Sequence, residues 1–264
     1  MTAKHKEGSI VCVGTGIMLG AHISPLCQSH IEQAEIVFCA VANDYMRKWL
    51  FSLNNNVVDL QKYYSEGKNR RQTYREMETA ILHEVRAGKR VVGAFYGHPG
   101  VFARVPHTAI TQATKEGFEA YMLPGISAEA CLYADLGIDP GACGCLHYEA
   151  NQFLRYQHAV NTASHLVLWQ VGVAGDFTTS KFVSSAEQRD VLARKLQRYY
   201  SPEHEVILYE AAVLPIDKHR AHKFPLKSLS TANIEQHTTL IVPPAHPLQE
   251  DTAFLDALRK EGLR

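Results

Sequence analysis

Val91-Val-Gly-Ala-Phe-Tyr-Gly-His-Pro-Gly-Val-Phe102 decides the fold. It opens as a short apolar, β-favouring run and breaks at Gly97-His98-Pro99-Gly100. That turn leaves an aromatic, an imidazole and open backbone at the C-terminal end of a strand. Two other stretches repeat the logic. Gly8 to Val13 is β-rich and breaks at Gly14-Thr15-Gly16. Phe118 to Leu123 ends at Pro124-Gly125, after which Ile126-Ser-Ala-Glu-Ala130 opens a helix. Glu35 to Val41 reads as a further strand. Ser24-Pro25 supplies an N-cap and a first-turn proline for a helix running toward Gln33. Asn69 to Val85 places Tyr74, Met77, Ile81, Leu82 and Val85 at helical spacing, with Asn69 and Gln72 as a capping box and Gly88 as the stop. This alternation predicts an α/β fold with a largely parallel sheet and a ligand site at its strand ends.

The second half has a different texture. His165 to Val171, Glu205 to Glu210 and Thr239 to Val242 read as strands, and Ser185 to Tyr200 as a helix stopped by Pro202. Gly137 to Gly144 is loop-rich and marks the expected boundary. The predicted division is an N-terminal α/β domain over 1–136, a second over 137–245, and a polar tail over 246–264 with an amphipathic helix near Thr252 to Arg259. A ligand would then lie in the cleft between the two domains.

Composition sets the outer limits. With 264 residues, 46% apolar and 20% charged, the chain can build such cores and is not disordered throughout. Lysine plus arginine (27) balances aspartate plus glutamate (27), which leaves no overall footprint for nucleic acid or an anionic membrane. Apolar runs such as Ile36 to Ala42 are too short to cross a bilayer, and the start, Met1 to Gly8, has no signal-peptide core. The expectation is a cytoplasmic protein with neither nucleic acid nor membrane as partner. Cys12, Cys27, Cys39, Cys131, Cys143 and Cys145 read as reduced thiols. Cys143-Gly-Cys145 lacks the second pair that a structural metal site needs, and no metal is expected.

Taken singly, the glycine loops say little. Gly14-Thr15-Gly16 lacks the third glycine of a dinucleotide fingerprint and the lysine of a P-loop. The helix opening at Ser127-Ala128 offers free N–H groups that suit a carboxylate.

Together they say more. Val13-Gly-Thr-Gly16, Tyr96-Gly-His-Pro-Gly-Val-Phe102 and Leu123-Pro-Gly-Ile-Ser-Ala-Glu129 resemble, in order and spacing, the tetrapyrrole methylase superfamily, over roughly residues 8 to 245. That resemblance implies two α/β domains with S-adenosylmethionine (SAM) in the cleft between them and S-adenosylhomocysteine as product. Tyr63-Tyr64, Lys68-Asn69-Arg70-Arg71 and Tyr74 are similar to a narrower group, the borosin peptide α-N-methyltransferases. This likeness implies Arg70 and Tyr74 as the catalytic pair, with Tyr64 and Tyr63 ahead of them. It implies cofactor contacts at Tyr96, His98, Val101, Phe102, Ser127, Ala128, Gln170, Ala211, Thr238 and Thr239, beside Gly14 and Gly16. Founding fungal members carry their substrate peptide on a C-terminal extension. Here the sequence ends at Glu261-Gly-Leu-Arg264, so the likeness is to the split bacterial type. A separate precursor methylated in trans is the implied partner, bound by a homodimer as a 2:2 complex.

The chemistry agrees with the residue types. An amide nitrogen is a poor nucleophile because its lone pair is delocalised into the carbonyl. Methylating it requires removing the proton, twisting the amide, or stabilising charge on the carbonyl oxygen as an imidate. Arg70 and Tyr74, at i and i+4, share a helix face. A guanidinium beside a phenol is expected to lower the tyrosine pKa from about 10 and so to make Tyr74 or Tyr64 a base, with Tyr96 orienting the cofactor. Two other readings stay open: a methylase of corrins, porphyrins or RNA, and a catalytically silent SAM-binding regulatory domain.

Overall fold

The computed structural model describes residues 7–41, 43–65, 67–178 and 183–262. Ala42 of the apolar run above, Met1 to Lys6, and Leu263 with Arg264 lie outside the described residues. Two five-stranded sheets organise the chain. The first holds β1 (Ser9–Gly14), β2 (Ile36–Ala40), β3 (Val57–Asp59), β4 (Arg90–Phe95) and β5 (Glu119–Met122). They are arranged β3-β2-β4-β1-β5, and every pairing is parallel. The helices of this half are α1 (Pro25–Gln33), α2 (Asp44–Leu53), α3 (Arg70–Arg86) and α4 (Arg104–Lys115).

The period of the strands explains why helices cover both faces. Along β1, Ile10 and Cys12 point into a core shared with Met77, Ile81 and Val85 of α3 and Ala109 of α4. Their neighbours Val11 and Val13 face Cys27 and Ile31 of α1 and Met46 and Leu50 of α2. A parallel strand buried on both sides reads as a near-continuous apolar run, which is how these strands were legible. Ser24 caps α1 through Cys27 N–H, as expected. Asn69 caps α3 through Arg71 N–H, while the Gln72 amide donates to Glu76.

The second sheet holds β6 (Cys145–Glu149), β7 (His165–Trp169), β8 (Glu205–Glu210), β9 (Arg220–Pro225) and β10 (Thr239–Val242). Its order is β6-β7-β10-β8-β9, and only β6 and β7 run parallel. One face buries Leu166, Leu168, Val206, Leu208 and Leu240 with Leu192 and Leu196 of α8 (Ala186–Leu196) and Phe153 of α7 (Ala150–Arg155). The other buries Val167, Ile207 and Tyr209 against Leu132 of α5 (Ala128–Leu136). That helix follows the first sheet in sequence yet packs beneath the second.

Three strands escape the sequence pattern for identifiable reasons. The three-residue β3 is too short to show a period. In β6 each residue is half-buried, and β9 is a polar edge strand, as edges exposed to solvent usually are. The stretch read as loop before β6 holds the short α6 (Pro140–Cys143). The helix expected over Ser185 to Tyr200 ends at Leu196, with a capping box between Ser185 and Gln188. At the far end α9 (Thr252–Lys260) matches the amphipathic segment. No helix among the described residues is long and apolar enough to cross a membrane.

All three glycine loops lie at the C-terminal ends of parallel strands and meet backbone to backbone. A Cβ on Gly14 would stand 2.3 Å from Gly97 O and 2.7 Å from Gly125 Cα. Both neighbours are main chain and cannot swing aside. Gly14→Ala is therefore expected to cost about 1–3 kcal/mol of stability, the usual penalty for overpacking, read from the chemical-denaturation midpoint. An unchanged midpoint would show that the three loops do not pack this closely.

Candidate functional site

The loops after β1, β4 and β5 form one wall of a cleft. Gly16 and Gly97 exchange backbone hydrogen bonds, with N···O distances of 3.2 and 2.9 Å. His98 Nδ1 accepts from Gly100 N–H at 2.9 Å, and Val101 N–H donates to His98 O at 3.2 Å. This tight turn pushes Val101 and Phe102 outward, where they are 37% and 46% exposed. Phe102 adopts φ +50°, and its ring centroid lies 5.6 Å from that of Trp169 in the second sheet. Tyr96 is half-buried behind the turn, its phenol pushed up to about 12 by burial and, less, by Cys131. Ser127 is the N-cap of α5, and Ala128 is its first residue.

The second sheet provides the opposite wall. Gln170 follows β7 with φ +58° and is exposed. Ala211 follows β8 and packs against the α5 face of the sheet. Leu19 N–H, in the first loop, donates to Val213 O at 2.9 Å and ties the two walls together. Thr238 and Thr239 sit deeper. Both are buried, and the Thr238 hydroxyl donates to Glu210 and accepts from Glu235 N–H, so it knots β8 to β10.

Arg70, Tyr74 and Tyr64 gather at the edge of this cleft. Arg70 and Tyr74 line a hollow of about 330 Å³ with Gln170, Asp176 and Phe177. Arg70 Nη2 lies 3.6 Å from Asp176 Oδ2, and the two side chains are only 16% and 2% exposed. The Tyr64 and Tyr74 rings meet edge to face, with centroids 6.4 Å apart. The charge logic expected for this pair is reversed at Tyr64. Burial, then the charge of Tyr74 and a hydrogen bond with it, push the Tyr64 phenol well above the ordinary tyrosine value, and Arg70 only partly opposes them. Desolvation of a half-buried phenol outweighs one neighbouring cation. Tyr64 therefore keeps its proton.

Tyr63 goes elsewhere. It ends the 3₁₀ turn Leu60–Tyr63, and its side chain lines a separate groove of about 640 Å³ with Gln72, Arg75 and His83. Its carbonyl accepts from Lys68 Nζ at 2.8 Å, which braces the segment before α3. The paired cysteines are likewise apart in role. Cys143 Sγ is 3.4 Å from His165 Nδ1, whereas Cys145 packs against the cluster around Leu132 and Val167. Among the described residues, no group of three or more histidine, cysteine, aspartate or glutamate side chains is placed to hold a metal ion.

Two residues at the site have no counterpart in the sequence reading. Trp169 carries Phe102 on its ring, and its Nε1–H donates to His147 Nδ1 at 3.0 Å. Asp176 faces Arg70. A Gly175-Asp176 turn shortly after a strand end was the available signal, and it is a common one.

The raised Tyr64 value has a consequence for stability. A phenol that ionises later in the folded chain than in the unfolded one contributes stability in full below the ordinary value near 10. That contribution is lost as pH climbs from there through the folded value. Denaturation across pH ~9 to ~11 should show wild type losing more stability than Tyr64→Phe. Equal losses would mean that the phenol is solvated.

Residues 9–228 match the tetrapyrrole (corrin/porphyrin) methylases. The chain is 43% identical, over 92% of its length, to a methyltransferase/ribosomally synthesized cyclic peptide gymnopeptides precursor of Gymnopus fusipes. It is 41% identical, over 93% of its length, to a methyltransferase/ribosomally synthesized type I borosin cyclic peptide precursor of Coprinopsis marcescibilis. It spans 59% and 64% of those two proteins. Both are fungal and named as enzyme and precursor in one, so they lend no support to the expectation of a split bacterial type. The uroporphyrin-III-C-methyltransferase of Thermus thermophilus has the same fold, with a TM-score of 0.62 over 98% of each chain at 16% identity. By the match over residues 9–228 and the two-sheet architecture that carries it, the chain belongs to the tetrapyrrole (corrin/porphyrin) methylase family.

Proposed function

We propose that the chain is a SAM-dependent methyltransferase that acts iteratively on backbone amide nitrogens of a ribosomally made peptide. The observation that carries this reading is the meeting of Arg70, Tyr74 and Tyr64 at the edge of the glycine-loop cleft. The relatives at 41–43% identity, named as methyltransferases joined to cyclic-peptide precursors, support it.

The cleft suits the cofactor. Its wall is bare backbone: a Cβ at Gly14 or Gly125 would fall 2.3 or 2.4 Å from Gly97 O, and the exposed Val101 and Phe102 offer apolar contact for a purine. Tyr96, His98, Val101, Phe102, Ser127, Ala128 and Gln170 would hold it, with Ala211 at the floor. Thr238 and Thr239 support that floor from within. When bound, SAM supplies an electrophilic methyl group on its sulfonium. The halves over 1–136 and 137–245 would together complete its site, with 246–264 as a tail.

The remaining work falls to the chain's own side chains. Tyr64 keeps its proton, so it donates a hydrogen bond to the Tyr74 oxygen. Tyr74 lines the cleft and, in its phenolate form, takes the amide proton to become the neutral phenol, with the Arg70 charge beside it. Arg70 also faces the acceptor's carbonyl oxygen, where charge develops as the amide becomes imidate-like. The hollow at Arg70 opens beside Phe177 and Tyr156, half or more exposed, which suits apolar residues of a peptide. A precursor on a separate chain and a 2:2 homodimer complex complete this reading. Both rest on the resemblance, since the relatives by name join precursor to enzyme.

The test is tandem mass spectrometry of a small ribosomally made candidate precursor protein, co-expressed with the chain. Methyl groups are expected on backbone nitrogens, and Arg70→Ala is expected to cut their formation by about 10²–10³-fold, as loss of an oxyanion donor does, while SAM binding persists. An unmodified protein despite SAM binding would instead favour a corrin, porphyrin or RNA acceptor, or a silent binding domain.

A further inference from the structure

Asp176 is an unusual place to spend a carboxylate. It is 2% exposed, and burying a charge is costly unless it is paired and hydrogen-bonded. The chain satisfies it with care. Thr178 N–H and Oγ1–H donate to Asp176 Oδ1 at 3.0 and 2.5 Å, which leaves Oδ2 turned to Arg70. The loop that carries it is pinned from behind. Asn151 Nδ2 donates to Val173 O at 3.1 Å, and Asn151 Oδ1 accepts from Gly175 N–H at 2.7 Å. Gly172 lies so close to Glu235 that a Cβ there would fall 2.2 Å from its carbonyl oxygen.

That loop begins at Gln170, in the left-handed conformation, and belongs to the second sheet's half. Arg70 begins α3, in the first. The ion pair therefore crosses the cleft. A guanidinium on a long side chain has several rotamers, and a fixed carboxylate selects among them.

We propose that Asp176 is the positioning residue for Arg70. It holds the guanidinium at the mouth of the cleft, over Tyr74 and Tyr64, and it transmits the placement of the Gln170 loop to the first half of the molecule. This rests on the proposed methyl-transfer role of Arg70, but the placement itself can be measured without any acceptor.

The experiment labels the intact protein with p-hydroxyphenylglyoxal and follows Arg70 by peptide mass spectrometry, with the exposed Arg90 and Arg259, both outside this hollow, as internal references. Asp176→Asn is expected to raise Arg70 labelling several-fold while leaving the references unchanged. Asp176→Glu, which restores the charge, is expected to return most of the protection. Should Asp176→Asn fail to fold, Asn151→Ala loosens the same loop with the carboxylate retained and is expected to move Arg70 in the same direction. With an acceptor peptide in hand, Asp176→Asn is expected to lower kcat by up to about 10²-fold, the scale of a small misplacement at a reacting centre, with KM for SAM unaltered and Asp176→Glu recovering part of the loss. Arg70 labelling equal in wild type and in the folded variant would overturn the positioning role. A wild-type chain that methylates no peptide would instead overturn the proposed acceptor and leave the labelling result standing on its own.

Discussion

Main chain touches main chain at Gly14, Gly97 and Gly125, and the arrangement of the cleft follows from that contact. Side chains are excluded there because a Cβ on Gly14 or on Gly125 would press on the same Gly97 oxygen. Three parallel strands thus end at one point. Whatever follows each strand must turn away from it, and the β4 loop does so most sharply, through His98 and Gly100. The turn throws Val101 and Phe102 outward and sets Phe102 on Trp169 of the other sheet. One steric constraint therefore fixes the loop geometry and also joins the two halves.

The first half was readable because its three central strands, β1, β2 and β4, are buried on both faces. Ile10 and Cys12 serve one core, Val11 and Val13 the other, so β1 shows as an unbroken apolar run closed by a glycine. The stripe from Tyr74 to Val85 is equally plain, because α3 covers one face of the sheet with every third or fourth residue. In the second half β7, β8 and β10 carry the same signal. β6 and β9 do not, since their positions at the two sheet edges ask for no apolar side chains. Sequence pattern reports burial, and a strand that is not buried leaves little trace.

The site was readable to the extent that it is local. Arg70 and Tyr74 are one helical turn apart, so their shared face follows from spacing alone. Tyr63 and Tyr64 are adjacent, yet the 3₁₀ turn that ends between them sends one ring to a separate groove and the other to Tyr74. The protonation of Tyr64 departs from the expectation for a related reason. Its sign depends on how much water the surrounding packing removes, and burial outweighs Arg70 there. Asp176 is distant in sequence and joins the site only through the fold of the Gln170 loop.

Phe102 and Gln170 are the non-glycine residues with positive φ among those described, and both border the cleft, one on each wall. Backbone of this kind costs free energy and persists only where the surroundings hold it. Here the surroundings are identifiable: the glycine junction and Trp169 hold Phe102, and the Asn151-braced loop holds the chain beyond Gln170. The proposed chemistry on an unreactive amide would ask for this rigidity. A phenol and a guanidinium can assist proton removal only while both stay within reach of one nitrogen and its carbonyl oxygen, and each would gain entropy by leaving. The burial that raises the Tyr64 phenol also holds its ring edge to face against Tyr74. Tyr64 is left to donate within the pair, and Tyr74 faces the cleft. Tyr64, at the end of a 3₁₀ turn, and Tyr74, on α3, thus reach one pair from two separate elements.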